Sequence, residues 1–348
     1  MKYPPLPPED LEHILRHTRK LWEELRGQRL FITGGTGFFG MWLLESFVQA
    51  NDLLKLGASV TILTRDPAAF ATKAPQLTNR KDLEFVVGDI RTFAFPAGDF
   101  RFVIHAATAA NAKLNADDPR EMRDVIVAGT ARLLDFAAQA RTKKILFTSS
   151  GAVYGHQPVN QPYLSEDCVG NPDQLFADSA YGAGKIIAEQ LCIENARQND
   201  CEAKIARCFA FVGPHLPLDA HFAIGNFIGD ALAGRIIRMT GDGTPLRSYL
   251  YASDLAIWLW TILFIGAPGR AYNVGSSKGL PVGRVAAEVA ALVPGSKVGE
   301  TRPSSPGSVS SHYVPDVRRA AAELGLREYV PLSEAIKKTI KWYGTVRY

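Results

Sequence analysis

Two kinds of hydrophobic pattern alternate along the chain between residue 29 and about residue 208. Short runs of consecutive apolar residues are typical of strands buried on both faces, whereas apolar residues repeated every three or four positions are typical of helices. Strands that alternate with helices indicate the α/β class and a doubly wound parallel sheet. The predicted strands are 29–33, 58–64, 83–87, 101–106, 144–149 and 203–208, and the predicted helices are 38–56, 118–140 and 179–199.

The pattern changes on either side of this region. Residues 9–26 carry an apolar stripe at helical spacing, so we predict an N-terminal helical extension over 1–27 that packs on the outside of the domain at 28–208. Glycine and proline interrupt the rest of the chain. We therefore expect 209–348 to form mainly a smaller C-terminal, substrate-binding lobe, with some segments returning to the first domain. The longest apolar run, Leu255 to Ala267, is too short to span a bilayer and is predicted to be a buried helix.

The bulk composition narrows the class of protein. Hydrophobic residues make up 47% of the 348 positions, and the net charge of +4 is spread along the chain. A scattered, mildly basic balance predicts neither a nucleic-acid partner nor a membrane association. None of the four cysteines forms a C-x-x-C pair, and no cysteine–histidine group has zinc spacing, so we expect reduced thiols, a cytoplasmic location and no metal site.

Three glycines follow the first predicted strand and precede a helix. Gly34, Gly37 and Gly40 are spaced G-x-x-G-x-x-G, one residue different from the commoner dinucleotide fingerprint. Glycines in such a turn let the backbone approach a diphosphate, and the N–H groups and dipole of the helix favour its charge. The pattern predicts a Rossmann-like dinucleotide site, and the alternative is a tight strand-to-helix turn with no ligand.

Tyr181 and Lys185 lie four residues apart at the start of a predicted helix, which puts both on one helical face. A nearby ammonium group stabilises phenolate, so it lowers the pKa of a tyrosine toward the working range of a proton acceptor. Gly182 and Gly184 are costly in a helix, and we interpret them as room for the close approach of a ligand.

Hydroxyl side chains end the strand predicted at 144–149. In a doubly wound sheet the carboxyl ends of the strands line the ligand crevice, where a hydroxyl can bind a reacting oxygen. Ser150 is the candidate. The alternative is that Ser149 or Thr148 merely caps a turn.

These motifs, in this order, resemble the short-chain dehydrogenase/reductase superfamily, specifically its extended branch of nucleotide-sugar epimerases, ketoreductases and dehydratases. The resemblance runs over about residues 28–345 and implies that 28–208 is an NAD(P)-binding domain. It implies that Ser150, Tyr181 and Lys185 are catalytic, and that Ser149, Ser150, Gly151, Asn226 and Arg247 bind the sugar nucleotide. The implied cofactor contacts are Gly34, Thr36, Gly37, Phe38, Phe39, Gly40, Thr64, Arg65, Asp89, Ile90, His105, Ala106, Ala107, Thr108, Tyr181 and Lys185.

Departures from the family pattern bear on the reaction and on the cofactor. Gly151 and Ala152 stand where the dehydratases and decarboxylases of the family carry acidic residues, which argues against elimination of water. Thr64-Arg65 ends the second strand without the carboxylate that binds the 2′-hydroxyl of NAD, so Arg65 favours NADP(H), with NAD(H) possible. The alternative is that Arg65 is only an exposed charge at the strand end.

The leading hypothesis is an NAD(P)-dependent epimerase that acts on a nucleoside-diphosphate sugar through a transient keto sugar. The alternative is an NADPH-dependent nucleotide-sugar 4-ketoreductase, and a 4,6-dehydratase is a weaker third possibility. A non-catalytic cofactor sensor or scaffold would not need the set Ser150, Tyr181 and Lys185. The resemblance also implies a homodimer, formed by pairing the helices at 118–140 and 179–199 across a two-fold axis.

Overall fold

A computed structural model describes residues 2–107, 118–158, 160–168, 180–220, 222–300 and 311–346. The helices are α1 (Pro8–Thr18), α2 (Phe38–Leu54), α3 (Pro67–Lys73), α4 (Pro75–Thr78), α5 (Pro119–Gln139), α6 (Ala180–Gln198), α7 (Ala223–Leu232), α8 (Ala252–Ile265), α9 (Val282–Leu292), α10 (Arg318–Leu324) and α11 (Leu332–Tyr343). The strands are β1 (Arg29–Thr33), β2 (Ser59–Thr64), β3 (Leu83–Val87), β4 (Phe102–His105), β5 (Lys144–Ser150), β6 (Glu202–Cys208), β7 (Phe211–Val212), β8 (Leu246–Arg247), β9 (Leu250–Tyr251), β10 (Ala271–Val274), β11 (Leu280–Pro281) and β12 (His312–Tyr313).

A seven-stranded sheet forms the centre of the molecule, in the order β10-β6-β5-β4-β1-β2-β3. The six pairings between its neighbouring strands are parallel. The strand order runs outward in both directions from the β4–β1 pair, which is the switch point where an open α/β sheet forms its ligand crevice. The α/β, Rossmann-like fold predicted from the hydrophobic pattern is confirmed.

The main sheet has one strand more than the six predicted, and this strand comes from the C-terminal part of the chain. The structure adds a seventh strand, β10, which pairs with β6 through the register Ala271↔Ile205. Its sequence, Ala-Tyr-Asn-Val, is short and interrupted by the polar Asn273, so it forms no run of consecutive apolar residues that would predict a strand. β10 carries a C-terminal segment back to the main sheet.

The N-terminal extension breaks where the sequence predicted one helix over 9–26. α1 ends at Thr18, and a 3-10 turn follows over Leu21–Leu25. The turn brings the Trp22 ring to 4.5 Å from that of Trp260, between ring centroids, at the buried face of α8. Packing of this large ring explains why the apolar stripe continues although the α-helix does not.

α8 is buried along almost its whole length, as predicted for the apolar run Leu255 to Ala267. None of the helices in the described ranges is both long enough and apolar enough to cross a membrane. Beyond the main sheet, the C-terminal region forms a three-stranded sheet, β11-β8-β12, and the small β7-β9 pair. The three-stranded sheet places β8 and β12 near the carboxyl ends of β5 and β6.

Candidate active site

The turn between β1 and α2 is built so tightly that side chains are excluded from it. Gly34 adopts φ +75°, and a Cβ atom there would lie 2.5 Å from the Ala106 carbonyl group. A side chain at Gly40 would collide with the backbone of Gly35. The helix begins at Phe38 with no acidic residue in its first turn, so its N–H groups face the turn without a competing carboxylate. These residues fit the diphosphate of a dinucleotide.

A partly buried lysine adds positive charge to the same turn. The Lys73 ammonium donates to the Thr36 carbonyl oxygen at 3.0 Å, and burial lowers the pKa of Lys73. Phe38 and Phe39 follow on the first turn of α2, where the Phe39 ring packs edge-on against Phe211 at 5.2 Å between centroids. The two phenylalanines join the turn to the rest of the fold.

Polar groups predicted to bind the cofactor lie in a row where β2 and β3 end. Thr64 is the last residue of β2, and exposed Arg65 follows it. The Asp89 carboxylate accepts from Arg91 at 2.9 and 3.1 Å, which lowers its pKa, and the charge of Arg65 adds to this effect. Arg65 and Asp89 therefore lie near enough for their charges to interact. Ile90 packs on Gly129 of α5.

His105 at the end of β4 is a packing residue. Its Nδ1 lies 2.8 Å from the Thr33 hydroxyl and its Nε2 lies 3.0 Å from the Thr130 hydroxyl. Burial lowers the pKa of His105 to about 3, so the ring is neutral. The Thr33 hydroxyl also accepts from the Ala107 N–H at 3.1 Å, so this network holds the strand end that borders the glycine turn. Thr108, predicted to contact the cofactor, lies outside the described residues.

Lys185 is buried beneath Tyr181 on α6. Its ammonium donates to the Thr148 carbonyl oxygen at 2.8 Å and lies 5.8 Å from the centre of the Tyr181 ring. Burial lowers the pKa of Lys185 to about 8. The structure thus brings this cation to the predicted phenol and ties both to the end of β5. A Cβ atom on Gly184 would lie 3.4 Å from the Ile126 side chain of α5, an ordinary contact, so helix packing does not account for this glycine and room for a ligand stays a prediction.

Ser150 ends β5 and meets a residue that the sequence analysis missed. The Ser150 hydroxyl accepts from the Ala152 N–H at 3.1 Å and lies near the phenol of Tyr313, whose pKa burial raises and Ser150 lowers in part. A Cβ atom on Gly151 would lie 2.5 Å from the Tyr313 hydroxyl and 2.8 Å from the Phe209 ring. Tyr313 thus fills the space beside Gly151. Its two-residue strand, β12, gives no periodic signal that could have revealed it.

The remaining predicted substrate residues have different surroundings. Ser149 is buried and donates its hydroxyl to Glu189, so a substrate would have to compete with this hydrogen bond. Asn226 is partly buried on α7. Arg247 on β8 donates to the Ser311 carbonyl oxygen at 3.0 Å, and its guanidinium lies 5.9 Å from the Tyr313 ring centre. Arg247 is therefore near the Ser150 end of the site.

Comparison with known proteins assigns the family. Residues 30–275 match the family described as "NAD dependent epimerase/dehydratase family". The chain belongs to this family. It is 28% identical to UDP-glucuronic acid decarboxylase 6 of Arabidopsis thaliana, over 88% of each protein. It is 26% identical to the dTDP-D-glucose 4,6-dehydratase of Homo sapiens, over 92% of this chain and 93% of the relative.

A similar solved structure is named as an epimerase, whereas the two relatives above are named as a decarboxylase and a dehydratase. UDP-glucose 4-epimerase of Thermus thermophilus superposes with a TM-score of 0.74 and 25% identity, covering 92% of this chain and all of that one (100%). The matched region, 30–275, includes the glycine turn, Ser150, Tyr181 and Lys185. Tyr313 lies beyond it, so the residue beside Gly151 comes from a part of the chain that the family match does not cover.

Proposed function

We propose that this protein is an NAD(P)-dependent epimerase of a nucleoside-diphosphate sugar, acting through a transient keto sugar. The observation that carries the proposal is the buried Lys185 beneath Tyr181, next to a strand that ends in Ser150. This arrangement suits proton transfer at a ring hydroxyl. Relatives named as acting on UDP- and dTDP-sugars support the substrate class.

Each residue of the site has a distinct part in this proposal. When bound at the glycine turn, the nicotinamide cofactor would supply the acceptor for the hydride of the ring carbinol and the donor that returns this hydride to the opposite face of the keto sugar. Tyr181 takes the proton of the hydroxyl group and later gives it back. The Lys185 ammonium stabilises the phenolate form of Tyr181 and holds the cofactor ribose. Ser150 hydrogen-bonds the reacting oxygen and keeps the sugar oriented.

Arg65 supports NADP(H) as the cofactor. It follows the end of β2, where a carboxylate would repel a 2′-phosphate and a guanidinium would bind it. The Thermus epimerase structure is a complex with NAD, and another relative, MoeE5, is in complex with UDP-glucuronic acid and NAD. The proposed NADP preference therefore has no support from these relatives, and it rests on Thr64 and Arg65 alone.

The sugar nucleotide is proposed to bind between the main domain and the C-terminal lobe. Arg247 suits a diphosphate because its guanidinium is always charged and donates hydrogen bonds in pairs. Asn226 on the neighbouring α7 is the second proposed contact. The proximity of Arg247 to the Tyr313 ring, 5.9 Å, supports a diphosphate on one side of Tyr313 and the sugar at Ser150 on the other.

A 4-ketoreductase is the second candidate, because a net reductase exchanges NADPH at each turnover and Arg65 favours that cofactor. Dehydration is the less favoured chemistry. It needs an acid and a base beside the sugar ring, and the space beside Gly151 is filled by the Tyr313 hydroxyl and the Phe209 ring.

We also propose a cytoplasmic homodimer. The cysteines Cys168, Cys192, Cys201 and Cys208 are unpaired thiols, which suits a reducing compartment. The proposed two-fold interface pairs α5 and α6, and Ile187 on α6 is 38% exposed. Light scattering at micromolar concentration should give a dimer for the natural protein and a monomer for Ile187→Glu. A monomeric natural protein would contradict the assembly.

The function is tested by asking what the purified protein carries and what it makes. Denaturing the purified protein should release NADP(H) and a nucleotide sugar, which mass spectrometry identifies. Incubation with that sugar should yield its epimer by NMR, without net oxidation of the cofactor. Stoichiometric consumption of NADPH with a keto sugar would favour the ketoreductase, and a 4-keto-6-deoxy product would contradict both.

A further inference from the structure

A buried network of polar side chains lies on the α6 side of β5, next to Ser150. Ser149 donates its hydroxyl to Glu189 of α6. Arg207 of β6, the register partner of Ser149, donates to the same carboxylate from Nε at 3.1 Å and from Nη2 at 2.8 Å. Glu189 is only 4% exposed. Ser149 is therefore fixed through its side chain by a buried ion pair.

The same arginine also holds the chain just after Ser150. Arg207 Nη1 donates to the Tyr154 hydroxyl at 3.1 Å, and Tyr154 lies in the 3-10 turn that Ser150 begins. The Tyr154 hydroxyl in turn donates to Asn273 Oδ1 of β10 at 2.7 Å. One guanidinium thus links the residue before Ser150 to the turn after it, and both to the edge strand.

The network also fixes α6, which carries Tyr181. Lys185 and Glu189 are one helical turn apart, and they bind consecutive residues of β5, the Thr148 carbonyl oxygen and the Ser149 hydroxyl. Two attachments one turn apart set how far α6 can slide along β5. They therefore set the position of Tyr181 relative to Ser150.

A buried ion pair carries a desolvation cost, so it is weak evidence of a contribution to stability. The contacts lie on both sides of Ser150, which indicates that their role is to fix the position of this proposed catalytic residue. We propose that Ser149, Glu189, Arg207 and Tyr154 form a positioning network that fixes Ser150 against Tyr181 for hydride transfer. This inference rests on the proposed function. None of the four residues needs to touch the substrate.

The test uses variants that each remove one hydrogen-bonding atom, Ser149→Ala and Tyr154→Phe, with Tyr163→Phe, at an exposed tyrosine, as the matched control. Single-turnover reduction of NADP⁺ is followed at the nicotinamide absorbance with a panel of UDP-, dTDP-, GDP- and CDP-hexoses. Because small misplacements of reacting groups are costly, we expect rate constants lower by about ten- to a hundred-fold, with the affinity for the sugar nucleotide unchanged. Tyr163→Phe should keep the natural rate.

The decisive measurement repeats both substitutions in a Ser150→Ala chain. Positioning through Ser150 predicts that each then changes the rate by less than about two-fold, whereas a general effect on the fold would lower the rate as much as before. Thermal unfolding shows whether each variant is folded. If Ser149→Ala is not folded, Tyr154→Phe alone provides the test. The positioning proposal is wrong if both variants keep the natural rate of hydride transfer. It is also wrong if each substitution lowers the rate in the Ser150→Ala chain as much as in the natural chain. Neither result contradicts the proposed enzymatic activity. No reduction by the natural protein with any hexose of the panel overturns both proposals.

Discussion

The hydroxyl of Tyr313 on β12 lies beside Gly151, the residue after Ser150 at the end of β5, and so brings the C-terminal lobe to the proposed catalytic strand. The Tyr313 ring packs against Phe209, with 4.6 Å between centroids. Burial raises the pKa of Tyr313, so its phenol is protonated at neutral pH and acts as a neutral hydrogen-bonding group. The space beside Gly151 is consequently closed to any larger residue.

This contact predicts the effect of restoring an acidic residue at position 151. Gly151→Asp should lower the free energy of unfolding by about 1–3 kcal/mol, because the new side chain would overpack against the Tyr313 hydroxyl and the Phe209 ring. It should yield no 4-keto-6-deoxy sugar by NMR. Gly241→Asp, at a glycine with open space around its Cβ position, is the control and should unfold at the natural temperature. A stable Gly151→Asp protein that dehydrates a sugar would contradict the assignment of this pocket.

Much of the main domain could be predicted because its signals are local. Consecutive apolar residues reveal a strand such as β1, and the glycine turn must follow it directly. Tyr181 and Lys185 are one helical turn apart, so their shared face is fixed by the helix itself. The parallel order of the sheet then brings Ser150 to the same edge.

The unpredicted features depend on contacts between distant segments. Tyr313 reaches Ser150 only because β12 pairs with β8, and each of these strands has two residues. The β5–β6 register places Arg207 beside Ser149, and Glu189 reaches both residues from α6. Charged residues in a helix and a strand are usually expected to face solvent. No spacing rule in the sequence could have indicated this buried pair.

Arg65 predicts the preference between the two nicotinamide dinucleotides. Arg65→Ala should weaken binding of NADP(H) by about tenfold or more, because a charge-assisted hydrogen bond to the 2′-phosphate contributes about 1.5–3 kcal/mol. Binding of NAD(H) should change little. Isothermal titration of both cofactors measures the ratio, and Arg19→Ala, at another exposed arginine, is the control. Equal affinity for both cofactors, unaltered in Arg65→Ala, would remove Arg65 from the site.

Because the Glu45 carboxyl is buried, we expect the free energy of unfolding to fall as the pH rises. This α2 carboxyl is 5% exposed and accepts from the Leu6 N–H at 2.8 Å, and burial raises its pKa to about 7. Between about pH 4.5 and 7 the unfolded chain loses this proton while the folded protein keeps it, so stability falls with rising pH across that window. The full cost, up to about 3 kcal/mol, is present above pH 7.

Glu45→Gln should abolish that slope. Urea unfolding at pH 4 should give similar stabilities for the two proteins, whereas at pH 8 the variant should be the more stable one. Glu12→Gln, at an exposed glutamate of α1, is the matched control and should follow the natural protein at both values. A stability difference between Glu45→Gln and the natural protein that is the same at pH 4 and pH 8 would mean that folding does not raise the pKa of Glu45.

Tyr181 is expected to be the group that transfers the proton, and its loss should separate binding from chemistry. Tyr181→Phe keeps the ring above Lys185 and removes only the hydroxyl. Cofactor and sugar-nucleotide affinities should therefore stay within a few-fold of the natural values. Hydride transfer in a single turnover should slow by about 10²–10⁴, the usual cost of losing a positioned acid–base group.

Two comparisons make the Tyr181 result specific. Tyr163→Phe removes the hydroxyl of an exposed tyrosine, 47% accessible, and should transfer hydride at the natural rate. Lys185→Met should slow hydride transfer and also weaken cofactor binding, because it removes both the charge beneath Tyr181 and the proposed ribose contact. If Tyr181→Phe transfers hydride as fast as the natural protein, then Tyr181 only packs in α6. The proton would then have to move through a different group, and the epimerase proposal would lose its main support.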